Sequence, residues 1–481
     1  PVARAMWSEG LAPSPAKGLP WTLLADLPVD HYWGFHLLLM PFALCPSYEL
    51  GLRLATATLF ALVFASFAAF LSRRRVPHPV AWSLLGALFS NQDWRYLQLR
   101  GGQLLLPLAW WLIDTVAFTA PSRRRNLRLL LIAWFAMLGY HGAILLWPIA
   151  VTASFAAQLP RFAARSWGEA TLAVLRDSSL TALGLTLGLT LNPYADAHGS
   201  TFRFFVFHVW NMGRDTAGLY ADQLVAEFRG MPPELLVWLP EWGLLFLATL
   251  GGLLWLLART LLSRFAPRAT RRHEMPSREA LVMGLLSLLG ILLVGQALRT
   301  REYAVPFALS FLAVLWSSGR VEPRWFRPLP LLLACAALAA KAPATAQLVR
   351  SHLPTAMYRG ARTVLEGNGP RPILNLAEAD FGMLRIEYPD VVCAHALSRY
   401  FLYPNRKVFE DLWYLHREGG SSDEKTEQIL RDFYDRGVRL VATHGNRPLD
   451  RWAETHPGWL SPVFLSPVSA ARLYRLTPAN R

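Results

Sequence analysis

The sequence predicts a mostly α-helical, polytopic membrane protein with about nine to eleven transmembrane helices and a C-terminal α/β domain. Of its 481 residues, 53% are apolar and only 17% are charged, whereas soluble proteins carry about 25% charge. Long apolar runs recur between residues 50 and 345, for example LGLRLATATLFALVFASFAAFL at 50–71. Runs of about 18 or more apolar residues are long enough to cross a bilayer. The sequence therefore predicts the lipid bilayer as a partner of this protein.

Short basic clusters between the apolar runs predict which side of the membrane each loop occupies. They are SRRR (72–75), SRRRNLR (122–128), RFAARSW (161–167), the segment 259–278 and GRVEPRWFR (319–327). If the spans alternate in direction, all five clusters lie on the cytoplasmic side, as the positive-inside rule requires. Much of the net charge of +15 therefore lies in the clusters that orient the protein in the membrane. It does not form the continuous basic stripe typical of a nucleic-acid binder, so we expect no nucleic-acid partner. The compact Arg-rich loops suggest, by analogy, a multi-pass protein of a bacterial inner membrane.

The spans that satisfy this alternation follow one another along the chain. They are predicted near 50–71, 79–91, 102–119, 127–157, 179–191, 238–261, 280–298, 303–317 and 327–342. The run at 127–157 is too long for one span, so we expect it to bend at GYHG (139–142). The predicted domains are an extracytoplasmic first loop with an interfacial helix (1–49), a transmembrane helical domain (50–344) and an extracytoplasmic, periplasmic α/β domain (345–481). Because the sequence opens without a Met, at PVARAMWSEG, we expect a first span to precede it.

The last part of the chain, from about residue 345, has mixed charge and short apolar segments typical of a soluble domain. ILNL (373–376), VVCA (391–394), VRLVATH (438–444) and ARLYRL (471–476) are predicted strands. SDEKTEQILRDFYDRG (422–437) is a predicted helix, capped by Ser422 and stopped by Gly437. Strands that alternate with helices indicate a small α/β fold.

Polar and ionisable residues gather at the predicted outer ends of the spans. They are Asp30, His31 and His36; Asp93, Arg95 and Arg100; His141; Asn192, Tyr194, Asp196 and His198; and Arg299, Arg301 and Glu302. Ionisable groups near membrane depth are costly, so they usually face a cavity or a partner. Each also has an ordinary structural explanation; Asn192, for instance, precedes a proline and can simply end a helix. The prediction therefore rests on the whole set and on no single residue.

The residue types suggest roles for these groups. Asp30 and His31 could act as a general base or as ligands for a divalent metal, Mg or Mn. Arg100, Arg299 and Arg301 lie outside, against the positive-inside bias, and a guanidinium suits a phosphate group. The remaining residues of the set, except Arg95, are predicted to bind substrate.

Four segments resemble those of uncharacterised bacterial multi-spanning proteins of one enzyme class. They are DHYWGFHLLLMPF (30–42), LRGGQLLLPL (99–108), LNPYADAHGS (191–200) and REYAVPFAL (301–309). In layout the chain resembles the GT-C class of integral membrane glycosyltransferases, which includes protein O-mannosyltransferase-like and oligosaccharyltransferase-like enzymes. The resemblance implies transfer of a sugar from a polyprenyl-phosphate-linked donor to an acceptor on the extracytoplasmic side. It also implies that an acid of the first external loop, here Asp30, acts as base or metal ligand.

Two other functions remain open at this point, a polytopic transporter and a non-catalytic membrane scaffold that keeps a GT-C-like fold. Transporters carry ionisable residues near the membrane midplane and often show inverted repeats. Here the polar residues lie at outer span ends and no repeat is visible. A large external domain favours a transferase or a scaffold over a transporter. The acceptor is not indicated by the sequence.

Overall fold

The computed structural model describes most of the chain, with gaps. The described residues are 2–13, 19, 21, 30, 32–88, 101–204, 240–265, 277–296, 301–318, 328–351, 357–376, 384–385, 387–388, 390–394, 405–444, 448–467 and 469–478. Up to residue 351, thirteen α-helices are described. They are α1 (Val2–Glu9), α2 (Trp33–Ala43), α3 (Tyr48–Arg73), α4 (Pro79–Leu88), α5 (Leu105–Ile113), α6 (Arg123–Gly139), α7 (Leu146–Ala163), α8 (Trp167–Thr190), α9 (Ala195–Phe204), α10 (Pro240–Phe265), α11 (Arg278–Gln296), α12 (Arg301–Ser318) and α13 (Leu329–Ser351).

Four helical segments among the described residues are long and apolar enough to cross a membrane: Tyr48–Arg73, Gly101–Phe118, His141–Ala163 and Trp167–Thr190. Shorter apolar helical stretches are Trp33–Ala43, Leu245–Arg259, Glu302–Ser317 and Leu329–Lys341. These apolar helices confirm the prediction of a mostly helical membrane protein. The predicted number of nine to eleven spans stays a prediction.

Local sequence signals set where these helices begin and end. Ser47 caps α3, because its Oγ accepts a hydrogen bond from the Leu50 amide at 3.1 Å, and Ser122 caps α6 in the same way. Helix α6 ends at Gly139, where Tyr140 turns to extended backbone, and a short 3₁₀ helix (His141–Leu145) leads into α7. The predicted bend at 139–142 is thus a real break between two helices.

Aromatic packing holds the centre of the helical bundle. The indole of Trp110 stacks on Phe67 and on Phe70 at 5.0 and 4.7 Å between ring centroids, and meets the ring of Phe307 edge-on at 5.4 Å. All four side chains are buried. Such aromatic contacts add to the packing of α3, α5 and α12 beyond simple area burial.

A buried ionic network lies at the end of the bundle opposite to Asp30. The guanidinium of Arg125 donates to both carboxylate oxygens of Asp177, at 2.8 and 2.7 Å, and to the carbonyls of Thr115 and Val116. Those carbonyls belong to a π-helical turn, Asp114–Phe118, that ends the α5 segment. The Ser154 hydroxyl donates to the same carboxylate at 2.9 Å. Arg125 therefore joins α5, α6 and α8 at a point that is shut off from solvent.

The C-terminal part forms a five-stranded mixed sheet with helices. The strands are β1 (Pro372–Asn375), β2 (Val392–Cys393), β3 (Leu440–His444), β4 (Leu460–Leu465) and β5 (Ala471–Leu476), and the helices are α14 (Arg362–Asn368), α15 (Arg406–Arg417), α16 (Asp423–Asp435) and α17 (Pro448–Thr455). The order is β2-β1-β3-β5-β4, in which β2, β1 and β3 are parallel and β5 and β4 antiparallel. Successive side chains face opposite sides of the sheet, so they feed two separate hydrophobic clusters.

Two contacts join the N-terminal loop and the start of α3 to this sheet domain. The indole of Trp21 packs against the ring of buried Phe433 on α16, with 5.7 Å between the ring centroids. The guanidinium of Arg359 lies 3.9 Å from the carboxylate of Glu49 at the start of α3. The sheet domain therefore lies on the same end of the bundle as the first loop.

Candidate functional site

Asp30 is the centre of the candidate site, and both of its carboxylate oxygens are engaged. Oδ1 accepts a hydrogen bond from the Tyr32 amide at 2.9 Å, and Oδ2 lies 2.6 Å from Nδ1 of His36. The first contact is a turn in which a carboxylate bonds the backbone two residues further on, which explains an Asp just before a helix. The carboxylate is only 5% exposed. Asp30 is thus a buried acid that is fixed in place by α2.

His36 reaches Asp30 because long side chains in a helix lean toward its N-terminus. Its imidazole is 20% exposed, and the rings of Tyr32 and Phe35 lie about it, each 6.1 Å away between centroids. The sequence suggested His31 as the partner of Asp30. His31 lies outside the described residues, and the structure gives the contact to His36.

A pair of stacked tyrosines, Tyr32 and Tyr140, connects α2 to the break after α6. Their rings are 5.4 Å apart and nearly parallel. A Cβ on Gly101 would lie 2.6 Å from Cδ1 of Tyr32, so only glycine admits this approach. A Cβ on Gly102 would meet the Tyr140 ring at 3.6 Å and the Glu302 carboxylate at 3.9 Å. Gly101 therefore lets its segment pack closely against α2, and Gly102 lies in ordinary contact with the Tyr140 ring and with α12.

The segment NPYADAH approaches from the end of α8. Oδ1 of Asn192 accepts a hydrogen bond from the Tyr194 amide at 3.0 Å, which turns the chain out of the helix. The Tyr194 hydroxyl donates to the Pro13 carbonyl at 2.6 Å. Burial, and secondly the charge of Asp30, raise the pKa of this hydroxyl. The influence of Asp30 on Tyr194 shows that the two predicted segments lie close to each other.

The structure brings together five of the predicted residues at this end of the bundle, which we call the Asp30 end. They are Asp30, His36, Asn192, Tyr194 and Glu302. His141 begins the 3₁₀ helix next to the stacked tyrosines, and Asp196 lies exposed in the first turn of α9.

The remaining predicted residues are not described at the level of side chains. Asp93, Arg95, Arg100 and Arg299 lie, like His31, outside the described residues. Of Arg301 and His198 only the backbone position is described, at the start of α12 and within α9. Among the described residues, no group of three or more His, Cys, Asp or Glu side chains could hold a metal ion. The predicted Mg or Mn site at Asp30 and His31 stays a prediction.

Sequence reasoning missed the contribution of Tyr32 and Tyr140 and treated the Gly101–Gly102 doublet only as part of a resemblance. The available signal was the doublet itself, since glycine, which lacks a Cβ, admits the close approach of another chain segment. The partner of such a glycine cannot be read from the sequence, because it comes from another segment of the fold.

Comparisons with known proteins show a shared fold. No known protein-family profile and no curated protein sequence match the chain. Among solved structures, it is similar to the archaeal oligosaccharyltransferase AglB from Archaeoglobus fulgidus, solved in complex with an inhibitory peptide and a dolichol-phosphate. The TM-score is 0.52 with 10% sequence identity, over 100% of this chain and 70% of that one. At this identity the likeness shows an oligosaccharyltransferase-like membrane fold.

Proposed function

We propose that this chain is a membrane glycosyltransferase that moves a sugar from a polyprenyl-phosphate-linked donor to an acceptor at the Asp30 end. One observation carries the proposal. Segments around Asp30, Gly101, Asn192 and Glu302, which the sequence singled out separately, meet at one end of a bundle whose fold is similar to that of an oligosaccharyltransferase. A site assembled from the ends of several helices is where a membrane enzyme can meet both a lipid and a water-soluble acceptor.

The proposed donor follows from the chemistry of the lipid headgroup. The AglB structure contains a dolichol-phosphate, which is a lipid of this type and supports a lipid-linked donor here. Arg100, Arg299 and Arg301 are our proposed ligands for the phosphate, because guanidinium groups pair with phosphate and stabilise the charge that develops on a leaving oxygen. The apolar surfaces of the bundle would hold the prenyl chain.

The proposed reaction is a displacement at the anomeric carbon of the sugar. A base near that carbon removes the acceptor proton while the bond to the phosphate oxygen breaks. The Asp30–His36 pair supplies a carboxylate–imidazole contact at this end of the bundle. A divalent metal, bound with the help of Asp30 and His31, would polarise the phosphate oxygens.

The position of the sheet domain supports a role in holding the acceptor. Trp21 links the loop that precedes Asp30 to α16 through its contact with Phe433. The domain therefore lies beside the segment that carries the reacting groups. We propose that it covers the site and helps to select the acceptor, on the extracytoplasmic side of a bacterial inner membrane.

The test is release of polyprenyl phosphate by the protein in lipid nanodiscs. Labelled polyprenyl-phospho-sugars are supplied in Mg²⁺, in Mn²⁺ and in EDTA, and the freed lipid phosphate is measured. Asp30→Asn and Glu302→Gln are compared with Glu169→Gln, a control at an exposed acid in the first turn of α8. We expect release by the wild type, a fall of about 10²-fold or more for Asp30→Asn, and no change for Glu169→Gln.

Two outcomes would contradict the proposal. If folded protein releases no lipid phosphate from any donor, a scaffold or a transporter becomes the better interpretation. If release occurs but is equal in Asp30→Asn and the control, the transfer site lies elsewhere in the chain. The orientation is tested separately, by labelling of single cysteines introduced at Asp196 and Arg165 with a membrane-impermeant reagent in intact cells.

A further inference from the structure

Arginines gather at the end of the bundle opposite to Asp30, and two of them, Arg161 and Arg278, form no ion pair within the described part of the chain. We propose that these two guanidinium groups bind the phosphate of an anionic phospholipid from the leaflet around this end. The site is independent of the proposed transfer, because it lies at the other end of the bundle. The contacts of the neighbouring charges, the packing of two helices and an exposed aromatic strip support it.

The carboxylates nearest to this cluster are already occupied by other arginines. Asp114, on the π-helical turn, pairs with Arg73 at 3.3 Å and also with Arg74. Asp177, on α8, pairs with Arg125 at 2.7 Å. Because Asp114 is shared by two cations, one negative charge there is opposed by two positive charges. The carboxylates of these two pairs are therefore not available to neutralise further arginines.

Arg161 and Arg278 are brought together by the packing of α7 against α11. Arg161 lies in the last turn of α7, Arg278 is the first residue of α11, and both side chains are accessible to solvent. Among the residues that the structure describes, Arg161 donates to the Gln158 amide oxygen at 3.1 Å, and the Arg278 side chain forms no hydrogen bond. Both guanidinium groups thus keep donors that can reach a ligand from outside the bundle.

The positive charges at this end act on one another at short range. Partial burial lowers the pKa of Arg278, and the adjacent Glu279 carboxylate opposes this. The charges of Arg161, Arg125 and Arg74 lower that pKa further. Since arginine stays protonated in proteins, the crowding is a repulsion between fixed cations. A phosphate between Arg161 and Arg278 relieves this repulsion, and a guanidinium can donate two parallel hydrogen bonds to it.

An aromatic strip beside Arg161 provides an apolar surface for a lipid. The Phe162 ring contacts Trp167 at 5.3 Å and Phe155 at 5.5 Å between ring centroids. Trp167 and Phe155 are 62% and 41% exposed. Tryptophan is enriched at the level of the lipid headgroups, and Phe155 lies about 9 Å before Arg161 along the helix axis. The strip therefore leads from the two cations along the apolar surface of α7, which favours a phospholipid over a free phosphate ion.

A diffuse attraction is the alternative to a defined site. Basic residues next to a membrane attract anionic lipids through their summed charge, without any particular pair of side chains. In that case, every exposed arginine at this end would contribute about equally. In a defined site, only the arginines that contact the phosphate contribute strongly. A comparison of single variants therefore distinguishes the two.

The experiment is native mass spectrometry of the full chain, delipidated in detergent and mixed with equimolar dioleoyl phosphatidylglycerol and dioleoyl phosphatidylcholine. Arg161→Gln, Arg278→Gln and the double variant are compared with Arg124→Gln. Arg124 is an exposed arginine in the first turn of α6 whose charge is not among those that act on Arg278. We expect one phosphatidylglycerol to be retained in preference to phosphatidylcholine. Its Kd should rise about tenfold in each single variant and less than about twofold in Arg124→Gln.

Thermal unfolding gives an independent readout. Phosphatidylglycerol should raise the midpoint of the wild type and of Arg124→Gln, because a ligand that binds only the folded state stabilises it. It should not raise the midpoint of the double variant. Without lipid, all variants should unfold at the same midpoint as the wild type, so that a lost shift reports binding and not damage to the fold.

Three results would overturn the proposal. They are equal retention of the two lipids by the wild type, an effect of Arg124→Gln as large as that of Arg278→Gln, and displacement of the lipid by millimolar inorganic phosphate. The second result would show diffuse attraction, and the third would show a site for the free anion. None of these measurements involves sugar transfer, so a failure of the proposed function at the Asp30 end leaves this proposal standing.

Discussion

Removal of the buried arginine of the bundle gives the sharpest test of how the fold is held together. Arg125 and Asp177 are 3% and 1% exposed, and their side chains make two parallel hydrogen bonds. Arg125→Met keeps the apolar stem but leaves the Asp177 carboxylate buried with the Ser154 hydroxyl and the more distant Arg176 guanidinium, at 3.4 Å. The expected effect is loss of stability of the helical bundle.

The expected loss in the free energy of unfolding follows from the number of buried groups that Arg125→Met leaves without a partner. Loss of one member of a buried ion pair costs about 3–5 kcal/mol. Arg125 also donates to two carbonyls of the π-helical turn, and each buried carbonyl that loses its donor costs about 1 kcal/mol or more. The double variant Arg125→Met/Asp177→Leu also removes the unpaired buried carboxylate. It should therefore recover most of the stability lost with the ion pair, but not the stability lost at the two carbonyls.

Reversible unfolding in mixed micelles measures these differences. Sodium dodecyl sulfate is titrated into protein in dodecyl maltoside, and helix content is followed by circular dichroism. Arg128→Met, at an exposed arginine one turn along α6, is the matched control and should change the unfolding free energy by less than about 0.5 kcal/mol. The reasoning is refuted if Arg125→Met is as stable as this control, or if the double variant is no more stable than the single one.

Three further predictions concern the Asp30 end and the sheet domain. Gly101→Ala should lower the free energy of unfolding by about 1–3 kcal/mol, because the new methyl group forces the stacked tyrosines apart. Gly199→Ala is the control and should be neutral, because a Cβ there meets nothing within 4 Å. Equal thermal midpoints for the two variants would contradict this. Burial raises the pKa of Asp411 above 3.8, so the folded state loses stability as pH rises through the raised pKa. Asp411→Asn should therefore raise the midpoint at pH 7, with no gain near pH 3; a gain that is constant with pH would exclude the mechanism. Buried Asp450 accepts hydrogen bonds from the hydroxyls of Thr443 and Tyr474, at 2.6 and 3.0 Å. Asp450→Asn should lower the thermal midpoint by an amount equivalent to about 1–3 kcal/mol. An unchanged midpoint would contradict this and show that the amide satisfies both donors.

The helices could be predicted well because their signals are local. Apolar length locates α3 and α10, and capping serines fix individual starts such as Ser47. Helix α8 begins at Trp167, twelve residues before the predicted span at 179–191. In the sheet domain, the helix predicted at 422–437 is confirmed as Asp423–Asp435, with Ser422 as its cap and a left-handed Gly437 after it. The strand β4 was not predicted, because Pro462 lies inside it. Proline is tolerated there since β4 is at the edge of the sheet.

Contacts between distant segments could not be predicted in the same way. The cluster SRRRNLR was interpreted wholly as charge for membrane orientation, yet Arg125 within it is buried against Asp177, 52 positions later. Likewise Asp30 precedes its helix, so helical spacing gives no reason to pair it with His36, six positions on. Both pairings depend on backbone turns and on packing partners that periodicity does not encode. Residue type and position at the predicted outer span ends did single out Asp30, Asn192 and Tyr194, which the structure places at the same end of the bundle.

The two ends of the bundle therefore have different physical tasks, and the variants can separate them. The Arg125 network joins helices through charge that is fully shut off from water, so its loss should lower stability and leave kcat of the folded fraction unchanged. The Asp30 end is held by close approach of loops, through Gly101 against Tyr32 and through Tyr194 on the Pro13 carbonyl. If the proposed transfer takes place at the Asp30 end, displacement there moves the Asp30 carboxylate relative to the acceptor, so Gly101→Ala should lower kcat by more than its loss of stability explains. A transferase whose rate followed bundle stability alone would show the opposite order, with Arg125→Met the less active variant per folded molecule.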